Sequence, residues 1–187
     1  MYKVYKKGIG GNFHKLLCDM YSNTMYSCKS NNTMSEPFVA NRGVKQGDNL
    51  SPTLFNIYVD DFLEYLNSSV TSPAYLDSMP VNHLFFADDL VLISESPSGL
   101  QHCLNALEKY CTDWQLQVNM DKTKAMIFSK NMKKSSVKDF YGFYYMHNIV
   151  PIVDQYKYLG LVFTSNGNLL CLHLNNFQSV LKRHTTH

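Results

Sequence analysis

Apolar and polar positions alternate along this chain in two different rhythms. In "GNFHKLLCDMYSN", Phe13, Leu16, Leu17 and Met20 recur at helical spacing and predict an amphipathic helix. A strand pair is expected next, "TMYSCKS" and "EPFVA", joined through the polar "NNTMS". The Gly-bearing loop "NRGVKQGDNLSP" then leads to Ser51 as N-cap and Pro52 as first helical residue. From Thr53 to Leu66 one helix is predicted, with Leu54, Phe55, Tyr58, Phe62, Tyr65 and Leu66 on its apolar side. "VNHLFF" and "LVLIS" are short β-prone runs separated by Ala87-Asp88-Asp89, the pattern of a hairpin. "SPSGLQHCLNALEKYCTDW" predicts a long helix capped by Ser96 and opened by Pro97, burying Leu100, Cys103, Leu104, Leu107, Tyr110, Cys111 and Trp114. A strand is expected over Lys124–Ser129, then a polar lysine-rich loop. Further strands are expected in "FYGFYYMHNIVPIV" and "YKYLGLVFTSNG", and a last helix over Asn168–Lys182.

Two acidic doublets interrupt this pattern. Adjacent carboxylates in apolar surroundings are costly, so each needs a reason. In "YVDD", Asp60 falls on the polar side of its helix and Asp61 at the edge of the apolar stripe. Helical neighbours point about 100° apart, so these carboxylates diverge, as on a helix surface rather than at a metal site. In "FADD", Asp88 and Asp89 sit at a rigid hairpin tip, open to water and ions. Taken alone, that tip is either an ordinary acidic turn or a cation site.

Composition narrows the classes. The 187 residues are 45% hydrophobic, enough for one substantial core. With 17 basic and 15 acidic residues, net charge does not by itself argue for nucleic acid. Six lysines from Lys122 to Lys138 have no acid among them, which fits a solvated face or a polyanion contact. Five cysteines form no CxxC pair, and the polar start lacks a signal-peptide pattern. An intracellular chain with reduced thiols, in cytoplasm or nucleus, is expected. His14 and Cys18 share a helical face but have no second ligand pair, and no apolar run reaches membrane-spanning length.

The order of motifs carries more than any one of them. "RGVKQGDNLSPTLFNIYVDDF", "LFFADDLVLIS", "WQLQVNMDKTKAMIFS" and "YKYLGLVFTSNG" resemble, in succession, motifs B, C, D and E of the reverse transcriptase palm, in the version found in non-LTR (long interspersed) retrotransposons. The resemblance spans Arg42 to Gly167 and extends weakly over the first forty residues. It implies an α+β fold, an antiparallel palm-type sheet packed on helices, with residues 1–167 as a partial palm and 168–187 as the start of a thumb-like helix.

It also implies the chemistry. A primer 3′-hydroxyl attacks the α-phosphorus of a deoxynucleoside triphosphate on an RNA template, with two magnesium ions about 3.5–4 Å apart, or manganese in their place. Asp88 would be the metal-binding carboxylate and Asp89 its neighbour, tuning charge or ion geometry. Lys122 would steady or protonate the departing pyrophosphate, on a turn shaped by Asn119 and Thr123. Gln46 and Gly47 would meet the incoming nucleotide and template base, with Arg42 and Lys45 near phosphates. Tyr158, Leu159 and Gly160 match the primer grip, although core packing also accounts for Tyr158 and Leu159. One family carboxylate has no counterpart. Motif A should put an aspartate on a strand before motif B, but Asp19 lies on the polar side of a helix. The expectation is a fragment lacking motif A and fingers, inactive unless the rest of the polymerase is supplied, with exposed apolar surface. Two rivals remain: a non-catalytic nucleic-acid-binding remnant, and a phospho-acceptor receiver-like module.

Overall fold

The computed structural model describes residues 1–22, 24–40, 43–45, 47–68, 72–128 and 142–165, and the backbone of 177–178. Two compact units result, one from Met1 to Asp61 and one beginning at Phe62.

The first unit opens with a short helix, α1 (Tyr2–Lys6), which the apolar pattern did not announce, followed by α2 (Gly11–Tyr21). The expected strand pair forms as two nested antiparallel ladders. β1 (Met25–Tyr26) pairs with β4 (Phe38–Val39), and β2 (Lys29–Ser30) pairs with β3 (Thr33–Met34) across Asn31, whose φ is +52°. On α2 only Leu17 of the predicted stripe is buried, whereas Phe13, Leu16 and Met20 are exposed. The helical period is as expected, but within this unit the described residues do not cover that stripe.

The helix expected over Thr53–Leu66 is broken. α3 runs from Ser51 to Val59, Asp60 and Asp61 form a turn, and α4 (Phe62–Asn67) follows. Ser51 does not cap α3. Leu50 holds the cap position, and the Asp48 carboxylate accepts the Leu50 N–H at 3.1 Å through one oxygen and the Tyr21 hydroxyl at 3.1 Å through the other. The diverging carboxylates of "YVDD" are both engaged with α1. Lys3 donates to Asp61 and to the Tyr58 carbonyl, and Lys7 pairs with Asp60. Burial pushes the Lys3 ammonium below the usual lysine range, and Asp61 opposes that shift.

The second unit is built on hairpins and one long helix. β5 (Ala74–Leu76) and β6 (Met79–Val81) form a hairpin that the apolar pattern did not announce, with Pro80 inside its second strand. β7 (His83–Phe86) and β8 (Asp89–Leu92) form the expected acidic hairpin. α5 (Pro97–Asp113) is capped as predicted, with the Ser96 hydroxyl accepting the Gly99 N–H at 3.1 Å. Its predicted stripe is buried from Leu100 to Cys111. The Phe62 ring lies 4.8 Å from that of Tyr110 on α5, in edge-on geometry.

After α5 come β9 (Gln117–Val118), then β10 (Phe143–Tyr145) with β11 (Asn148–Val150), and β12 (Gln155–Tyr158) with β13 (Leu161–Thr164). α5 seals the outer edge of β10 with side chains. The Gln101 amide donates to the Tyr144 carbonyl at 2.8 Å and accepts the Tyr144 N–H at 2.9 Å, and Glu108 accepts the Met146 N–H at 2.9 Å. The strand expected over Lys124–Ser129 is reduced, among its described residues, to one parallel bridge, Ala125 with Ile152. The expected last helix lies mostly outside the described residues. Within it, Phe177–Gln178 (β14) is extended and pairs with β9, which holds its backbone in a ladder instead of a helix. The lysines from Lys130 to Lys138 also lie outside the described residues.

The helices and small antiparallel strands make an α+β fold. The strands pair two by two in this structure. Side chains join them: Val91 of β8 packs with Met126, Tyr158 and Phe163 in one buried cluster, flanked by Ile93, Phe128, Val153 and Tyr156.

Two stability effects follow. Phe62 is fully buried, so Phe62→Ala is expected to cost about 3–5 kcal/mol in urea unfolding. At the β12–β13 turn Leu159 has φ +46° and Gly160 φ +86°, left-handed at both central positions as a tight hairpin demands. Leu159 is half exposed, so Leu159→Asn should stabilise the protein by about 1 kcal/mol by relieving this backbone without losing core contacts.

Candidate active site

The β7–β8 ladder places Phe86 opposite Asp89, leaving Ala87 and Asp88 as the two turn residues. The turn is thus one residue shorter than the expected Ala87-Asp88-Asp89, and Asp89 already belongs to β8. Ala87 takes φ +53°, a left-handed backbone uncommon for a residue with a Cβ. The strand behind it accommodates that cost, since Leu90, Val91 and Leu92 are all buried. Asp88 and Asp89 themselves are half-buried at the tip. The antiparallel return of β8 rules out the parallel strand–loop–helix that a receiver-like module needs.

Lys122 reaches the same place from a different segment. Asn119 shapes its turn as expected. The Asn119 side-chain oxygen accepts the N–H groups of Asp121 (3.1 Å) and Lys122 (3.3 Å), and its carbonyl accepts the N–H (3.0 Å) and hydroxyl (2.7 Å) of buried Thr123. Tyr156 on β12 donates its hydroxyl to the Lys122 carbonyl at 3.1 Å. No catalytic motif pointed to Tyr156. The available signal was the i, i+2 spacing of Tyr156 and Tyr158 in "QYKYLG", which puts both rings on the same, core-facing side of β12.

Charge links the three residues. Burial raises the Asp89 carboxyl above the usual carboxylate range, the neighbouring Asp88 charge raises it further, and Lys122 pulls it back. Asp88 and Lys122 thus both act on the Asp89 carboxyl, in opposite directions. Among the described residues no group of three or more His, Cys, Asp and Glu side chains gathers as a metal cage. His14 and Cys18 do lie together, with Sγ 3.7 Å from Nδ1, as a pair without further ligands of that kind.

The other expected site residues are distributed as follows. Gly47 has φ +87° and open space where a Cβ would be, so its backbone conformation is what calls for glycine. Lys45 is half-buried in the same loop, and its carbonyl accepts the Asp48 N–H at 3.4 Å. Both belong to the first unit, and Arg42 and Gln46 lie outside the described residues. Tyr158 is a core residue beside Val91 and Phe163, whereas Leu159 and Gly160 form the exposed tip of their hairpin.

The Asp89 shift sets a pH dependence. A carboxyl raised in the folded state favours the protonated form, so its contribution to stability is complete at low pH. It is lost as pH rises from the ordinary carboxylate range through the raised folded value. Carbon-detected NMR titration of Asp89 without divalent cations should show its midpoint falling in Asp88→Asn and rising in Lys122→Met. Asp89→Asn should gain thermal stability over the unaltered chain at neutral pH and not at pH values below the carboxylate range.

A sequence model of the family described as "Reverse transcriptase (RNA-dependent DNA polymerase)" matches residues 9–163. The retrovirus-related Pol polyprotein from the type-2 retrotransposable element R2DM of Drosophila melanogaster is 37% identical over 155 residues, covering 81% of this chain and 14% of the relative. That from the type-1 element R2 of Nasonia vitripennis is 36% identical, covering 67% of this chain and 13% of the relative. The RNA-directed DNA polymerase from mobile element jockey of Drosophila melanogaster is 25% identical, covering 75% and 15%. The chain thus spans about a seventh of the length of these relatives. With a match over most of its length, and with relatives among the R2 and jockey non-LTR retrotransposons, this chain belongs to the reverse transcriptase (RNA-dependent DNA polymerase) family.

Proposed function

We propose that this chain is part of the palm of a retrotransposon RNA-directed DNA polymerase, with its reacting centre at the β7–β8 turn and residues 1–167 as the palm portion. The observation that supports this most directly is that Asp88 beside it and Lys122 from a separate segment both act on the half-buried Asp89 carboxyl. The donor set suits a hard divalent cation: carboxylate oxygens, half-buried, that leave room for water or phosphate in the remaining positions. Asp88 and Asp89 would hold it, magnesium or manganese, and when bound it would supply Lewis-acid activation and charge neutralisation.

The chain's own residues account for the remaining roles. The Ala87 backbone aims Asp88 outward from a rigid strand pair. Lys122, held by Asn119, Thr123 and Tyr156, offers a cation to the departing pyrophosphate. Gly47 and Gln46 approach the nucleotide and template base, Lys45 and Arg42 meet phosphates, and Leu159-Gly160 touches the primer with Tyr158 anchoring that turn. RNA template, DNA primer and deoxynucleoside triphosphates are the partners, in nucleus or cytoplasm. Among the described residues no helix is long and apolar enough to cross a membrane.

Two carboxylates without, among the described residues, a third ligand of this kind suit one ion and not two in register. The chain by itself is therefore expected not to extend a primer on an RNA template with magnesium and nucleotides. Robust extension abolished by Asp88→Ala would overturn that inactivity. The sparse ligand set also favours a second reading, a passive nucleic-acid binder. Magnesium-dependent tightening on template–primer, removed by Asp88→Ala, is expected for a residual polymerase centre. Binding indifferent to both magnesium and Asp88→Ala would establish the passive binder instead.

A further inference from the structure

Lys122 is exposed on its turn, and an ammonium on a flexible four-carbon stem takes many positions unless the backbone beneath it is fixed. On the side before the stem that backbone is held locally, since the Lys122 N–H donates to Asn119 at 3.3 Å. On the side after it, the Lys122 carbonyl accepts the Tyr156 hydroxyl at 3.1 Å, across 34 positions of sequence. The Tyr156 ring is half-buried against the cluster of Val91, Met126, Tyr158 and Phe163, so packing sets where its hydroxyl stands. From Tyr156, β12 runs on to Tyr158 and turns at Leu159 and Gly160, with Tyr156 opposite Phe163 and Tyr158 opposite Leu161. One short strand therefore joins an exposed turn to the carbonyl of Lys122.

We propose that Tyr156 is a positioning residue that couples the Leu159–Gly160 turn to Lys122 through its hydroxyl. A displacement of the turn moves β12, the strand carries the Tyr156 ring with it, and the hydroxyl draws the Lys122 carbonyl along. The Lys122 side chain then shifts with its backbone. The inference rests on the polymerase reading for its use. A primer seated on the turn sets the lysine that meets the departing pyrophosphate, so primer engagement and release of the leaving group are linked. The coupling itself runs through this chain's own residues and uses neither Asp88 nor Asp89.

The test is NMR of the full isotope-labelled chain, with chelator present and without nucleotide or nucleic acid. Gly160→Ala perturbs the turn alone: its φ of +86° is a backbone that alanine resists, and nothing lies within 4 Å of where the methyl would be. In the otherwise unaltered chain it should shift the Lys122 carbonyl-carbon and Cε resonances. Tyr156→Phe keeps the ring and removes the hydroxyl. It should move the Lys122 carbonyl carbon upfield, as loss of an accepted hydrogen bond does, with circular dichroism unchanged. In the Tyr156→Phe background the Gly160→Ala shifts at Lys122 should be lost while those at Tyr158 and Phe163 persist, which a merely structural role for Tyr156 would not produce. Leu159→Asn repeats the comparison with a variant that relieves the turn instead of straining it, so the measurement stands even if Gly160→Ala does not fold. The proposal is overturned if Lys122 responds to neither turn variant, or if it responds equally with and without the Tyr156 hydroxyl. Failure of primer extension or of magnesium-dependent binding would strike the polymerase reading and leave this result untouched.

Discussion

Leu90, Val91 and Leu92 are consecutive on one strand and all buried. A half-exposed strand buries every second residue, so three in a row mean that β8 is covered on both faces. Much else in the second unit depends on that double burial. Through Val91, β8 joins the Lys122 segment by Met126 and the β12–β13 hairpin by Tyr158 and Phe163. A strand fixed this way presents its first residue, Asp89, and the preceding Asp88 at a constant place. The left-handed Ala87 then becomes tolerable, because the hairpin on both sides of it is held.

The same packing governs the electrostatics. Asp89 is covered enough for burial to raise its carboxyl, yet open enough for Asp88 and Lys122 to act on it. Opposing charges at moderate burial keep the group responsive to its charged neighbours. Full burial would hold it neutral, and full exposure would screen its neighbours away. Lys122 reaches this balance through its backbone, since Asn119, Thr123 and Tyr156 fix the turn and leave the ammonium to project.

The first unit uses charge differently. The "YVDD" acids are engaged with Lys3 and Lys7 of α1. Two similar doublets therefore serve different ends: one ties a short helix down within its unit, and the other stands at a hairpin tip. Meanwhile Phe13, Leu16 and Met20 keep a well-formed helical stripe exposed to water. In α5 the same kind of stripe is buried, with α4, β9 and β10 packed against that helix.

Local physics made much of this legible from the residues. Ser96-Pro97 announced the start of α5, the β-prone runs around Ala87-Asp88 announced a hairpin, and Asn119 with Thr123 announced a turn. Each of these is decided within a few residues by capping, pleat or side-chain-to-backbone hydrogen bonds. What needed tertiary structure lay between segments distant in sequence. The break at Asp60–Asp61, the tie of Asp48 to Tyr21, the shrinking of the Lys124 strand to one bridge and the clamp of Tyr156 on Lys122 all depend on such partners. So does the pull of Lys122 on the Asp89 carboxyl, more than thirty residues away in sequence. Periodicity states which side of an element is apolar, but burial and charge coupling exist only once another element arrives to cover that side, and where it arrives is set by the packing of the whole unit.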